Sequence, residues 1–340
     1  MDITELRSQI NELDDRISGL FVERMKVSAQ IGEYKLKNGL NVRDIRREQE
    51  ILVNLSEKAG RLYAPYVKAL YAEIFDLSRQ LQSLLLQINS IEYGLIGEDV
   101  SYSYSKWIHH AIGNRSFGLY SIPEDLLPLL FEKRAFKGLN IASNYKSIVG
   151  KYCDRLDPTA ERTGFVNTIV KESDGTLTGY NTEYDGILLT AAIGGIDFKG
   201  KKVMILGNGS MSTSADCAAK DNGASETVIV TRTGKVNFSS CYEHSDIDIL
   251  INGTPIGMTP DSRIAPVDIS RFPKLSGVLD AVFTPVNTKL INEARKRGIK
   301  CEDGLTALIA KSAKTSALFG FEADEATCND LYEELTSFIE

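Results

Sequence analysis

An apolar row opens the chain and dictates more about its fold than any other feature. Ile3, Leu6, Ile10, Leu13, Ile17 and Leu20 recur in steps of three and four, the spacing of a helix seam. The pattern predicts one helix from Ile3 to about Leu36, ended by Gly39. A helix of that length cannot bury its seam against two shorter helices of the same chain, so an intertwined homodimer is expected. Asn41-Val42-Arg43-Asp44 leads into a second helix, with Asp44 near its start, where a carboxylate is favourable. Pro65 falls near the start of a third, where a missing N–H costs little.

Polar residues on these helices cluster by face. Arg24 and Lys35 are eleven positions apart, about three turns at ~3.6 residues per turn, and so share a face. Asp44, Arg47 and Glu48 stand at i, i+3 and i+4, and Ser78 and Gln82 at i and i+4. Arg7 lies seventeen residues before Arg24, roughly 25 Å along one helix. The two cannot hold one small ligand within a single chain, so a functional Arg7 requires a second subunit. The motifs Leu6-Arg7, Glu23-Arg24, Gly32-x-x-Lys35, Val42-Arg43-Asp44-x-x-Arg47-Glu48 and Ser78-x-x-x-Gln82 resemble those of the all-helical chorismate mutases. The resemblance implies a cofactor-free rearrangement of chorismate to prephenate. It assigns Arg7 of the partner chain and Arg24 to the two carboxylates. Lys35 and Gln82 go to the ether oxygen, Asp44 and Glu48 to the ring hydroxyl, and Arg47 and Ser78 complete the carboxylate shell.

With 340 residues, two or three domains are expected. Hydrophobic content of 43% and charged content of 25% are those of globular proteins. A net charge of −7 argues against nucleic acid or an anionic membrane as partner. The acidic start Met-Asp-Ile-Thr-Glu lacks the apolar core of a signal peptide. No run approaches the ~20 apolar residues of a membrane span. Five scattered cysteines and three histidines form no metal pattern, and a cytoplasmic protein with reduced thiols is expected.

After Leu86 the period changes. Ile91 to Gly97 reads as a strand, and strands then alternate with helices, implying parallel sheets. The expected division is a helical unit over 1–88, a substrate subdomain over 89–190 and 310–340, and a Rossmann-like subdomain over 191–309. The fold class is thus multidomain: an all-α three-helix unit followed by an α/β unit. Lys201 to Leu206 is a strand that leads into Gly207-Asn208-Gly209-Ser210, the shape of a dinucleotide-binding turn. The next strand ends in Thr231-Arg232-Thr233, and an arginine there suits the 2′-phosphate of NADP.

The stretch from about 92 to 335 resembles shikimate dehydrogenase. The similarity is carried by Gly97-x-x-Val-Ser-Tyr-Ser103-Tyr-Ser105, Gly138 to Lys146, Val166-Asn167-Thr168 and Gly179-Tyr-Asn181-Thr182-Glu183. Asn252 to Met258 and Gly304-Leu-x-x-Leu-x-x-Lys311 extend it. The resemblance implies a ligand pocket of Ser103, Ser105, Lys146, Asn167, Asn181, Glu183 and Lys311, and a cofactor site at Gly207, Gly209, Ser210, Arg232 and Thr233.

The chain departs from that family at several of these positions. Glu183 stands for the family's catalytic aspartate, Lys311 for a glutamine, Ser210 for the third glycine and Ala142 for a threonine. Tyr102, Lys106, Asn144 and Phe283 also differ. One added methylene moves a carboxylate by about an ångström, enough to cost ~100-fold where positioning carries the rate. The resulting expectation is a chorismate mutase whose second unit is inactive toward shikimate, binds NADP weakly and serves regulation. The alternatives are a bifunctional mutase and NADP-dependent shikimate or quinate dehydrogenase, and a metabolite sensor without turnover.

Overall fold

The structure, a computed structural model, describes residues 2–340 and divides into two compact units, one through Ile91 and one from Glu92. The first unit is helical throughout. Helix α1 spans Ile3–Lys37, and the Glu5 carboxylate accepts from the Asp2 backbone N–H at 3.1 Å at its start. Gly39, at φ +64°, turns the chain out of it. Helix α2 spans Ile45–Ser90 and is capped by Asp44, whose Oδ1 accepts from the Arg47 N–H at 3.0 Å. The expected second and third helices are this one run, broken at Gly60, where φ is +71° and ψ 168°. Only glycine adopts that conformation cheaply, so the break is written in one residue. The six seam residues of α1, Ile3 to Leu20, are between 42% and 63% exposed within one chain.

The second unit holds two sheets. The first comprises β1 (Tyr93–Gly97), β2 (Phe117–Ser121), β3 (Gly138–Ile141), β4 (Arg155–Leu156), β5 (Thr168–Lys171) and β6 (Leu177–Tyr180), in the order β2-β1-β3-β5-β6-β4. Helices α3 (Ser105–Ala111), α4 (Leu127–Lys133) and α5 (Pro158–Thr163) connect its strands. The sheet is mixed, contrary to the parallel expectation: β5 runs antiparallel to both β3 and β6. The cause is local. Gly175, at φ +85°, closes a tight turn over 172–176 that folds β5 directly back into β6.

Helix α6 (Glu183–Ile193) leads to the second sheet, β7 (Lys202–Leu206), β8 (Glu226–Val230), β9 (Ile249–Asn252), β10 (Gly277–Asp280) and β11 (Lys300–Glu302). All its pairings are parallel, in the order β11-β10-β9-β7-β8. After Lys202, strand β7 is an apolar run, and Val203, Met204, Ile205 and Leu206 are fully buried, as expected of a strand covered on both faces. Its helices are α7 (Ser210–Asp221) and α8 (Lys289–Lys296). The chain leaves β7 toward β8 on one side and continues at β9 on the other. That reversal opens a crevice beyond the carboxyl ends of β7 and β9.

Helix α9 (Gly304–Leu318) returns to the first sheet, and α10 (Glu325–Ile339) packs on it. The α6–α9 contact is close: a Cβ on Gly186 would sit 3.0 Å from the Lys311 Cβ. Among the described residues no helix is long and apolar enough to cross a membrane, no cluster of acidic, histidine and cysteine side chains could hold a metal ion, and all five cysteines are free.

Candidate functional site

In the first unit, α1 and α2 approach each other over small residues. A Cβ on Gly32 would meet Gln82 Cγ at 3.0 Å, and Ser28, one turn earlier, is buried. This close contact places four of the eight residues singled out from the sequence in one cluster. The Arg24 guanidinium donates to Ser78 Oγ at 2.7 Å and lies 5.7 Å from the Phe75 ring centroid. The Lys35 ammonium donates to the Val42 carbonyl at 2.5 Å and to Gln82 Oε1 at 3.4 Å. The Gln82 amide donates in turn to Ser28 Oγ at 3.0 Å. Ser78 and Gln82 are buried, while Arg24 and Lys35 are half-buried.

The other four lie differently. Glu48 is held by Arg79 at 2.7 Å, and Arg79 also reaches Asp76 at 3.1 Å. Asp44 is exposed and caps α2. The exposed Arg47 guanidinium pairs with Glu50 at 3.5 Å. Arg7 is exposed near the start of α1, roughly 25 Å along the helix from Arg24. Sequence reasoning missed Ser28 and Arg79. Ser28 carries a usable signal, since it lies one turn past Arg24 and one turn before Gly32. Arg79 carries none, because its spacing from Asp76 reads as an ordinary surface pair.

In the second unit a cavity of about 480 Å³ opens beside β3 and is lined by Ser103, Ser105, Asn140, Lys146, Asn167 and Lys311, among others. The turn into α3 supplies the serines, and Ser103 Oγ donates to Ser105 Oγ at 3.0 Å. The loop after β3 supplies Lys146, and α9 supplies Lys311 and Thr315. Lys146 Nζ donates to Glu183 Oε1 at 2.5 Å, and Glu183 is 2% exposed at the first residue of α6. The Ser210 hydroxyl donates to the other oxygen, Glu183 Oε2. Burial alone would push the Glu183 carboxyl up. The charges of Lys146 and Lys311, with the hydrogen bonds from Lys146 and Ser210, outweigh it and hold Glu183 below the ordinary carboxylate range. Burial, aided by the Lys146 charge, lowers Lys311 to about 8.

Asn167 and Asn181 are fixed by backbone and hydroxyl partners. Asn167 Oδ1 accepts from the Thr182 N–H at 2.9 Å, its amide donates to Thr182 Oγ1 at 3.1 Å, and the residue lines the cavity. Asn181 stands behind that wall: its amide donates to Thr163 and Ser214, both at 2.9 Å, and its Oδ1 accepts from the Glu183 N–H at 3.1 Å. Asn181 therefore positions Glu183, and the cavity lining excludes it. Thr315, which sequence reasoning missed, joins Thr168 and Thr182 at 3.0 Å each and lies one turn past Lys311. His109 underlies the same polar floor, between Ser316 at 2.7 Å and Asn140 at 3.2 Å. Burial pushes it down to about 3, so it is neutral.

Beyond β7, Gly207 takes φ +105°, and a Cβ there would strike Ser212 Oγ at 2.6 Å. Space beside Gly209 is open, and α7 begins at Ser210 with its N-terminus facing the crevice end of β7. Arg232 and Thr233 are exposed just past β8. The turn fits a dinucleotide phosphate at Gly209, where no side chain stands in the way at the start of α7, and Arg232 follows the next strand.

Comparisons with known proteins align with both units. Residues 6–83 match the family model for chorismate mutase type II, and residues 95–169 that for the shikimate dehydrogenase substrate binding domain. The NADP(+) shikimate dehydrogenase of Clostridium perfringens is 31% identical over 265 residues, covering 72% of this chain and 97% of that protein. A chorismate mutase/shikimate 5-dehydrogenase fusion protein of Clostridium acetobutylicum superposes with a TM-score of 0.67 at 28% identity, covering 73% of this chain and 98% of that one. The shikimate 5-dehydrogenase of Thermus thermophilus, solved with NADP(H) and shikimate, superposes at 0.63 with 25% identity, covering 72% and 99%. These likenesses overturn the expectation of an inactive, regulatory second unit with weak NADP binding. Two local reasons explain why the departures misled. The longer Glu183 still meets Lys146, and the Ser210 hydroxyl is engaged by Glu183.

Proposed function

Because the chain belongs to the shikimate dehydrogenase family and carries a type II chorismate mutase unit ahead of it, we propose that it is a bifunctional enzyme. Its first unit converts chorismate to prephenate and its second interconverts shikimate and its oxidised, keto form with NADP. The observation that carries the second activity is the buried Lys146–Glu183 pair at the cavity wall.

The mutase reaction needs no proton transfer or nucleophile, so the protein must fix the reactive conformer and meet charge growing on the ether oxygen. Lys35 is suited to the second task. Two of its three N–H bonds are directed at Val42 and Gln82, which leaves one for the substrate in a fixed direction. Arg24, steadied by Ser78, takes one carboxylate, and Arg7 of a second copy takes the other. This reading needs a homodimer, and the exposed seam of α1 supplies its interface.

In the second unit, Ser103 and Ser105 receive the carboxylate of a hydroxylated ring acid, while Asn167 and Lys311 reach its hydroxyls. Lys146 exchanges the proton of the reacting hydroxyl, and ionised Glu183 orients it. Gly207, Gly209 and the α7 N-terminus hold the pyrophosphate, with Arg232 and Thr233 toward the 2′-phosphate. Bound NADP supplies the hydride acceptor. Free cysteines suit a reducing compartment, and the cytoplasm is the placement proposed.

A paired assay on one preparation tests the reading: chorismate loss, and NADP+ reduction with shikimate or quinate. Turnover in both supports it. Mutase activity alone, with no reduction at ordinary enzyme rates of ~1–1000 per second, removes the second half.

A further inference from the structure

Glu183 is gripped from two sides. Its first oxygen meets Lys146 from the substrate cavity, and its second accepts the hydroxyl of Ser210, the first residue of α7. Those two partners come from different sheets. Lys146 follows β3 in the first, and Ser210 follows β7 in the second, at the turn that fits a dinucleotide phosphate. The Glu183 carboxylate is 2% exposed, so water cannot replace a lost partner.

The geometry points to Ser210 as a positioning residue for the proton-exchanging pair, and we propose that it acts through Glu183 and not through the dinucleotide. This inference rests on the dehydrogenase reading above. The reasoning is one of length and satisfaction. A glutamate reaches one methylene further than an aspartate, and unrestrained it would sweep an arc past Lys146. The Ser210 hydroxyl fixes the far oxygen, leaving the near one aimed at Nζ. The same bond stabilises the ionised carboxylate, which holds the Lys146 Nζ in a fixed direction. A serine in the phosphate turn and a glutamate at the start of α6 are thus one device: either change alone would leave a loose carboxylate or an unpartnered hydroxyl.

The test uses the full-length chain and shikimate with NADP+. Wild type is compared with Ser210→Ala, Ser210→Thr, Glu183→Asp and the Glu183→Asp/Ser210→Ala double variant. Thermal unfolding and mutase activity serve as folding controls. Ser210→Ala should lower kcat by about tenfold or more, with KM for shikimate within about twofold. The acid limb of its pH–rate profile should move upward by about one unit, because the lost hydrogen bond favoured the carboxylate. Ser210→Thr, which keeps the hydroxyl, should retain the wild-type profile. In the Glu183→Asp background the shorter carboxylate no longer reaches Ser210, so Ser210→Ala should add little. A Ser210→Ala variant with wild-type kcat and pH profile overturns the inference while leaving the dehydrogenase reading intact. So does an effect confined to dinucleotide affinity, measured by quenching of protein fluorescence, or strict additivity in the double variant. A wild type with no shikimate turnover overturns both.

Discussion

Lys35 and Lys311 are both lysines near a proposed active site, yet their surroundings set them opposite tasks. Lys35 keeps one N–H free beside two fixed acceptors, so Lys35→Ala should reduce chorismate turnover by roughly 100- to 1000-fold, the scale of one lost oxyanion-type donor. Loss of chorismate absorbance measures it, and an unchanged rate would refute the role. Lys311 is packed by α6 and faces the charges of Lys146 and Glu183. Its folded value of about 8 lies below the ordinary 10.5, so the folded chain carries a penalty while Lys311 is protonated. That penalty is complete below about pH 8 and fades as pH rises toward 10.5. Lys311→Gln should therefore raise the melting temperature by a few degrees at pH 7, and the gain should shrink at pH 10. A gain that does not depend on pH would contradict this account. Spacing and motif singled out the candidate residues, of which the structure brings Arg24 to Ser78, Lys35 to Gln82 and Lys146 to Glu183. Their other partners were not readable in this way. Ser28, Arg79 and Thr315 belong to the sites only because distant elements converge on them, and no local period encodes that. Glu183 shows the reverse error: a departure judged alone reads as damage, and beside Ser210 it reads as a matched pair.

Helices and strands were legible wherever one residue or one period decided them. The seam of α1, the cap at Asp44 and the apolar run of β7 follow from pattern, whereas the break at Gly60 and the hairpin at Gly175 depend on a positive φ. A lone glycine in a helical pattern gives no hint of which way the backbone will turn there. Gly60→Ala should thus cost the first unit about 1–2 kcal/mol of stability, since alanine cannot take φ +71° without strain. Denaturant unfolding followed by circular dichroism checks it. Gly32 is a different case, because its conformation is helical and only the space is short. A leucine there would drive Gln82 off its contact with Lys35, so Gly32→Leu should lose most mutase turnover while shikimate oxidation continues. Equal loss of both would show a general folding defect.

At the scale of the whole molecule, the sequence already showed two units of unlike architecture, and the structure separates them between Ile91 and Glu92. The shared mutase site is tested by mixing. Chains with Arg7→Ala and chains with Arg24→Ala should each be inactive, and together should regain part of the activity, because one site in a mixed dimer keeps both arginines. No recovery after proven subunit exchange would count against a shared site. The bare seam on α1 carries one more consequence. An activity assembled from two chains falls with the square of subunit concentration once the protein is dilute enough to dissociate, while one contained in a single chain falls only in proportion. On serial dilution, prephenate formation should therefore fade before shikimate oxidation does, and the ratio of the two rates becomes a readout of how much protein is present.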